Sequence, residues 1–175
     1  HGAGMYSLVH VLVGARHVVP ASGGFDPQEI LVLACHFGQV SLFAAPTMVR
    51  RLVDQVAEQA ADCSGIKTIV YGGGPMYLVD IRRALEVLGN RLVQIYGQGE
   101  SPMTITALAR RHLADRGHAR HLERITSVGV AHSVVEVIVA DAAGRPLPVG
   151  ESGEVLVRGD TVMQGYWRNP EATAA

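Results

Sequence analysis

The feature that most constrains the fold is an alternation of β-type and helical runs through the first part of the chain. The runs typical of strands are VSLFAAP (40–46), KTIVYGGG (67–74) and RLVQIYG (91–97). Helical runs that begin at prolines lie between them, from Pro46 to Ala61 and from Pro75 to Gly89. Strands that alternate with helices in this way form a mostly parallel sheet flanked by helices. The sequence therefore predicts an α/β fold over roughly residues 1–100.

Three further segments complete the prediction for this part. Asp26 and Pro27 form a helix start, because Asp caps free N–H groups and proline fits the first helical position; this helix runs to about Gly38. The run MYSLVHVLVG (5–14) is apolar almost all round, which predicts a buried helix. RHVVP (16–20) is interpreted as a short strand.

The later part of the chain has a different character, because strand patterns follow one another without long helices. TITALAR (104–110) is typical of a strand, and VVEVIVADAAGRPLPVGESGEVLVRG (134–159) predicts two antiparallel strands with a turn at Ala143 and Gly144. We therefore predict two parts, an α/β subdomain over residues 1–103 and a mainly antiparallel, β-rich subdomain over residues 104–175.

Charge and cysteine content exclude several function classes. The 175 residues carry 15 basic and 16 acidic side chains, a formal net charge of −1, which gives no electrostatic case for nucleic acid or an anionic membrane. No apolar run approaches the ~20 residues that span a bilayer. Two cysteines make no disulfide framework, so we expect a reducing, cytoplasmic location. The chain has no signal peptide and opens on His1 in mid-pattern, which suggests an internal fragment of a longer protein, here called the parent protein.

Two glycine-bearing loops end consecutive predicted strands, YGGGPM (71–76) and YGQGES (96–101). Ligands of open parallel sheets bind beyond the carboxyl ends of the strands, and glycine lets a ligand approach the backbone closely. Tyr96 could stack on a flat heterocycle, and Glu100 could bind a cation that neutralises phosphate oxygens. The alternative is plain turns and a solvated carboxylate, since no known phosphate-binding fingerprint occurs. The residues alone indicate an α/β ligand-binding domain.

Four segments, in order, resemble the adenylate-forming superfamily. YGGGPM resembles its G-G-[AG]-P adenine loop, QIYGQGES its Y-G-x-T-E segment and GEVLVRGDTVMQGYW its G-E-[LIV]-x-[LIV]-x-G…G-Y segment. HGAGMY (1–6) is similar to the H-G-x-G-M stretch beside the carboxylate pocket. Within this superfamily, the segment YGQGESPM and the small residues after His1 suggest an AMP-forming acyl-CoA synthetase, that is, a fatty-acid–CoA ligase. The chain resembles an internal fragment of the N-terminal domain of such an enzyme.

The resemblance implies a role for each matching position. Glu100 would coordinate Mg²⁺ and act in catalysis. The nucleotide, ATP or AMP, would be bound by residues of both glycine loops: Gly72, Gly73, Gly74, Tyr96, Gly97, Gln98 and Gly99. Four residues would border the acyl substrate: His1, Ala3, Gly4 and Gln94. Gly99 departs from the family, which usually has Thr before the Glu, and the missing hydroxyl removes one hydrogen-bond donor to phosphate.

The implied reaction converts a carboxylic acid, most simply a fatty acid, and ATP into an acyl-adenylate and pyrophosphate, and coenzyme A then forms the thioester. The phosphate loop and the mobile C-terminal domain of the family are missing, so we expect the isolated fragment to be inactive and to expose apolar surface through which it forms a homodimer. The alternatives are an aryl-CoA ligase, an amino-acid adenylation domain, or a non-catalytic homologue that binds nucleotide or acyl ligand. The departure from the family pattern at Gly99 is the reason for considering the non-catalytic homologue.

Overall fold

The computed structural model describes residues 2–174, which fall into two compact units. The first unit contains the residues up to Gln94 together with Leu108–Ser127, and the second contains Ile95–Ala107 and the residues from Val128 onward. The chain thus passes from one unit to the other three times, after Gln94, after Ala107 and after Ser127. The predicted boundary at residue 103 concerns the subdomains of the parent protein and stays a prediction.

The described residues form seven helices and seven strands. The helices are α1 Gly2–Leu12, α2 Pro27–Phe37, α3 Pro46–Gln59, α4 Leu78–Leu88, α5 Arg110–Ala114, α6 His121–Thr126 and α7 Pro170–Ala174. The strands are β1 Val40–Ala44, β2 Ile66–Tyr71, β3 Leu92–Gln98, β4 Ser101–Leu108, β5 Val130–Ala131, β6 Val135–Ala140 and β7 Glu154–Gly159. One sheet has the order β1-β2-β3-β4-β5, and β6 and β7 form a second sheet.

The first unit is the predicted α/β fold, because β1, β2 and β3 pair in parallel. Helices α3 and α4 each bury one apolar face, and Leu52 and Ile81 are fully buried there. Fully burying one such side chain contributes about 1.5–3 kcal/mol. The start of α2 is also as predicted, since Asp26 Oδ1 accepts a hydrogen bond of 2.9 Å from the backbone of Gln28.

The register of β2 and β3 fixes where the first glycine loop begins. Ile69 pairs with Leu92, and Tyr71, the last residue of β2, pairs with Gln94. Parallel strands end at the same edge of a sheet, so Gln94 lies beside the point where the chain leaves β2 and enters YGGGPM.

The second unit confirms the predicted antiparallel pair near the end of the chain. Strands β6 and β7 pair along their whole length, from Val135 opposite Gly159 to Ala140 opposite Glu154. The predicted turn is present, and Gly144 has a φ of +75°, a left-handed conformation that favours glycine. The fold class predicted from the sequence, a mostly parallel sheet with helices followed by an antiparallel portion, is therefore confirmed.

Two local predictions were wrong. Residues 16–20 form no strand. Helix α1 exists, but none of its residues is buried. Only one side of it packs against β1, whereas its apolar side chains lie all round the helix. The stretch after Leu108 contains the short helices α5 and α6, in which Leu113 and Ile125 are buried. No helix in residues 2–174 is both long and apolar enough to cross a membrane.

Candidate functional site

The first glycine loop lies at the end of β2 in the first unit. Tyr71 and Gly72 are buried, and the Gly72 N–H lies 3.4 Å from the carbonyl oxygen of Ala44 at the end of β1. Gly73 has a φ of +81°, so glycine is required there for conformational reasons. Gly73 and Gly74 are exposed. Burial raises the pKa of the Tyr71 hydroxyl, which therefore stays protonated at neutral pH.

Gln94 is the substrate-pocket candidate at the same strand edge. It is only 8% exposed, and its side-chain Oε1 has no hydrogen-bond partner within the described residues. A buried acceptor without a partner costs free energy, on the order of 1–3 kcal/mol. A ligand that donated a hydrogen bond to this oxygen would therefore remove the free-energy cost of leaving it unpaired.

Helix α1 holds the other acyl-pocket candidates. Ala3 and Gly4 are exposed on it, whereas His1 lies outside the described residues. A Cβ at Gly2 would lie 2.5 Å from the ring of Phe43, so glycine at this position lets α1 approach β1 closely. The first unit thus contains Ala3 and Gly4 together with Gln94 and the first glycine loop.

The second unit contains the hairpin between β3 and β4, which carries Tyr96 and Glu100. Gln98 Nε2 donates a hydrogen bond of 2.9 Å to the Tyr96 hydroxyl. A Cβ at Gly97 would overlap the backbone nitrogen of Met103, so only glycine fits there. At Gly99, by contrast, a Cβ would meet no atom within 4 Å. The residue that departs from the family pattern is therefore not imposed by packing.

Glu100 is held by the segment that follows β7. Its side-chain Oε1 accepts a short hydrogen bond from the Tyr166 hydroxyl, and its carbonyl oxygen accepts one of 2.8 Å from the Met163 N–H. The Tyr166 hydrogen bond, followed by one from its own backbone, lowers the pKa of the Glu100 carboxyl. The same contact raises the pKa of Tyr166. Glu100 is thus an ionised acceptor at neutral pH, beside a neutral phenol.

Ser101 does not replace the missing threonine hydroxyl. It is 2% exposed, and its hydroxyl lies 3.1 Å from that of Thr104. Thr104 in turn donates to Thr161 over 2.9 Å. These hydroxyls hydrogen-bond one another inside the second unit and tie β4 to the segment after β7.

The residues present fit a magnesium ion that is shared with a phosphate ligand. No group of three or more histidine, cysteine, aspartate or glutamate residues that could hold a metal occurs between residues 2 and 174. Mg²⁺ is commonly held by one or two carboxylates together with water and substrate phosphates. An ionised carboxylate offers about four acceptor sites, so Glu100 keeps capacity beyond the Tyr166 hydrogen bond.

Sequence reasoning did not single out Tyr166 as a partner of Glu100, because 66 positions separate the two residues. The only signal was its place in the segment GYW, which belongs to a stretch that resembles the adenylate-forming superfamily. Residues 110–125 contain three histidines, and two of them make local contacts. His118 Nδ1 accepts a hydrogen bond of 3.0 Å from the Arg120 backbone N–H, and His112 Nδ1 lies 2.7 Å from the Arg124 guanidinium.

Known proteins are similar in sequence to this chain along almost its whole length. A feruloyl-CoA synthase from an Amycolatopsis species is 34% identical over 171 residues, which cover 98% of this chain and 33% of that protein. A medium/long-chain-fatty-acid–CoA ligase from Mycobacterium tuberculosis is 30% identical over 174 residues, which cover 99% of this chain and 29% of that protein. The chain thus spans about a third of the length of these relatives.

The fold is also similar to that of an enzyme whose structure has been solved. The structure of the amide bond synthetase McbA from Marinactinospora thermotolerans is similar with a TM-score of 0.75 and 35% identity, over 87% of this chain and 29% of that one. The family model described as AMP-binding enzyme matches residues 1–167, a range that includes both glycine loops, Glu100 and Tyr166. Because this match covers far more than half of the 175 residues, the chain belongs to the AMP-binding enzyme family.

Proposed function

We propose that the parent protein of this chain is an AMP-forming acyl-CoA synthetase, an acid–thiol ligase. The observation that carries the proposal is the family match over residues 1–167, together with relatives whose names are CoA synthase and CoA ligase. The chain corresponds to about a third of those relatives, so we expect it to contribute part of the site and to be inactive alone.

The first unit supplies adenine and acyl contacts in this proposal. The exposed faces of Gly73 and Gly74, with Gly72 beneath them, lie along the adenine of ATP. Gln94 offers its unpaired Oε1 to the substrate, and His1, Ala3 and Gly4 border the acyl group. The exposure of the two glycines and the buried, unsatisfied amide oxygen support these roles.

The second unit supplies the aromatic and the carboxylate. Tyr96 stacks on the adenine, with its hydroxyl fixed by Gln98, and the backbone at Gly97 and Gly99 faces the nucleotide. Glu100 would hold Mg²⁺, which would neutralise phosphate oxygens. The ionised state of Glu100 and its fixed position support this assignment.

The proposed reaction has two transfers. A carboxylate oxygen of the acid attacks the α-phosphorus of ATP, and the bond to pyrophosphate breaks. The thiolate of coenzyme A then attacks the acyl carbon, and AMP leaves. Catalysis of such steps is mostly positioning and charge neutralisation.

We propose a fatty acid as the substrate, and two observations favour named alternatives. One relative is a feruloyl-CoA synthase, which favours an aromatic acid, and one similar structure is an amide bond synthetase, which favours an amine acceptor. Gly99 motivates a third, non-catalytic binding homologue. We also expect a cytoplasmic protein.

The test measures pyrophosphate release by the full-length parent protein with ATP, Mg²⁺ and two graded series of acids, aliphatic and aromatic. The same assay is run on Glu100→Gln, which keeps the side-chain shape and removes the charge. We expect release that depends on one class of acid and falls by a factor of about 100 or more in the variant. Adding coenzyme A or an amine then identifies the acceptor.

Glu151→Gln is the matched control, since Glu151 is exposed in the connection before β7. It should behave as the wild type. Release that is equal in Glu100→Gln and wild type would contradict the role of Glu100. No release with any acid, while nucleotide still binds, would favour the non-catalytic homologue.

A further inference from the structure

The contact between Tyr166 and Glu100 joins two segments that are distant in the chain. The phenol donates to the one side chain of this chain to which a metal role is assigned. Hydrogen bonds to an ionised acceptor are roughly twice as strong as neutral ones and fix direction as well as distance. Tyr166 therefore restricts which rotamers Glu100 populates.

The backbone around Tyr166 is itself tied to the hairpin. The Met163 N–H donates to the Glu100 carbonyl over 2.8 Å, and Thr161 accepts from Thr104 over 2.9 Å. Both ends of Glu100, its carbonyl and its carboxylate, thus contact residues 163–166. The backbone hydrogen bond from Met163 thus fixes the segment that contains Tyr166 next to Glu100, independently of the side-chain contact.

The residues after Tyr166 hold it in turn. Thr173 Oγ1 accepts from the Tyr166 N–H over 2.9 Å and donates to the Asn169 carbonyl over 2.8 Å. Asn169 Oδ1 accepts from the Ala172 N–H over 3.1 Å. At Gly165 a Cβ would lie 2.5 Å from the Thr173 methyl group, so glycine permits this approach. Within the segment GYWRNPEAT (165–173), Gly165, Asn169 and Thr173 thus fix the position of Tyr166.

We propose that Tyr166 is a positioning residue that holds the Glu100 carboxylate in the orientation in which it meets the Mg²⁺–nucleotide complex. This inference rests on the proposed function. A free glutamate loses rotamer freedom when it binds a metal, and this loss of entropy opposes binding. A carboxylate already held by Tyr166 and by its own backbone has lost that freedom on folding, so binding is tighter.

The experiment uses the full-length parent protein and Tyr166→Phe, which keeps the ring and removes only the hydroxyl. Two quantities are measured: the Mg²⁺ concentration for half-maximal pyrophosphate release, and the Kd of Mg²⁺–ATP by calorimetry without the acid substrate. We expect each to rise about tenfold, the effect of one charge-assisted hydrogen bond. Trp167→Phe, at a neighbouring aromatic that is 87% exposed, should change neither.

The decisive arm is the double variant Glu100→Gln with Tyr166→Phe. If Tyr166 acts through Glu100, removing its hydroxyl should cost less binding in the Glu100→Gln background than in the wild type. An unchanged Mg²⁺ requirement and Kd in Tyr166→Phe, or the same loss in both backgrounds, would overturn the proposal. Loss of thermal stability with unchanged Kd would reduce Tyr166 to a structural role and overturn it too.

The two proposals fail in different ways. If the wild type releases no pyrophosphate with any acid, the proposed function fails, whereas the calorimetric comparison still tests Tyr166. If the wild type is active and Glu100→Gln is impaired while Tyr166→Phe equals the wild type in both measurements, only the positioning role fails.

Discussion

Gly97 and Gly99 stand two positions apart in one hairpin and have opposite steric surroundings. A Cβ at Gly97 would overlap the Met103 backbone, whereas one at Gly99 would meet open space. We therefore expect Gly97→Ala to destabilise the protein by about 1–3 kcal/mol, as overpacking does, and Gly99→Ala to be close to neutral. Urea unfolding of the two variants beside the wild type measures the difference.

Gly99→Thr extends this comparison to ligand binding, because it restores the hydroxyl that the family pattern has. The open space around Gly99 should accept the side chain without loss of stability. Tighter Mg²⁺–ATP binding in this variant would support a phosphate contact at position 99. If Gly97→Ala and Gly99→Ala unfolded at the same urea concentration, the steric argument at Gly97 would be wrong.

At the residue scale, the sequence predicts those site residues that a local pattern of strand and glycine residues indicates. Tyr96 lies in the predicted strand directly before Gly97, and Glu100 directly follows Gly99, so both could be selected as candidates without coordinates. Tyr166 could not, because its importance lies in a hydrogen bond to a residue 66 positions away, and no local period encodes such a contact. Gln94 was selected by resemblance, and its buried, unpaired oxygen was visible only in the structure.

At the scale of elements, the connection between β6 and β7 is organised by one carboxylate. Asp141 accepts hydrogen bonds from the backbone N–H groups of Ala143 and Arg145, at 2.9 and 3.0 Å, and from the Arg145 side chain. The hydrogen bonds from Arg145, backbone first and side chain second, lower the pKa of Asp141. The ionised carboxylate therefore helps to fix the chain reversal after β6.

This predicts a pH dependence whose sign follows from the direction of the shift. A carboxyl with a folded pKa below its unfolded value, about 3.9, adds stability above that pH and loses it as the pH falls through the folded pKa. Asp141→Asn should lower the thermal midpoint at neutral pH, and the gap from wild type should close below about pH 4. Thermal unfolding across this range measures it, with Glu151→Gln as control; a gap that persists unchanged in acid would contradict the assignment.

The elements that the sequence predicted are those with long, regular signals. Helices α3 and α4 have a helical apolar period that their buried faces confirm, and β6 and β7 alternate with period two before a glycine turn. The elements that it missed are short: α5, α6, α7 and the two-residue β5 contain too few residues to show a period. Residues 16–20 have β-type composition, but composition alone does not give a strand its pairing partner.

At the scale of the whole molecule, the least expected feature is the surface of α1. Its sequence predicts burial, yet Leu8 is 68% and Leu12 is 86% exposed. An exposed apolar face of this kind marks an interaction site on a soluble protein. Since the chain spans about a third of its relatives' length, we expect further chain of the parent protein to cover α1 there.

The isolated 175-residue chain should then self-associate through α1. Burying large apolar side chains between two copies removes them from water at about 25 cal/mol per Å², and the helix offers them on more than one side. Sedimentation velocity over a range of concentrations should show a dimer that dissociates in the double variant Leu8→Glu, Leu12→Glu. Val149→Glu is the control, because Val149 is fully exposed in a different unit and belongs to no apolar helix. A strictly monomeric chain at high concentration would contradict the prediction, and a dimer that survives the α1 variant would place the contact elsewhere.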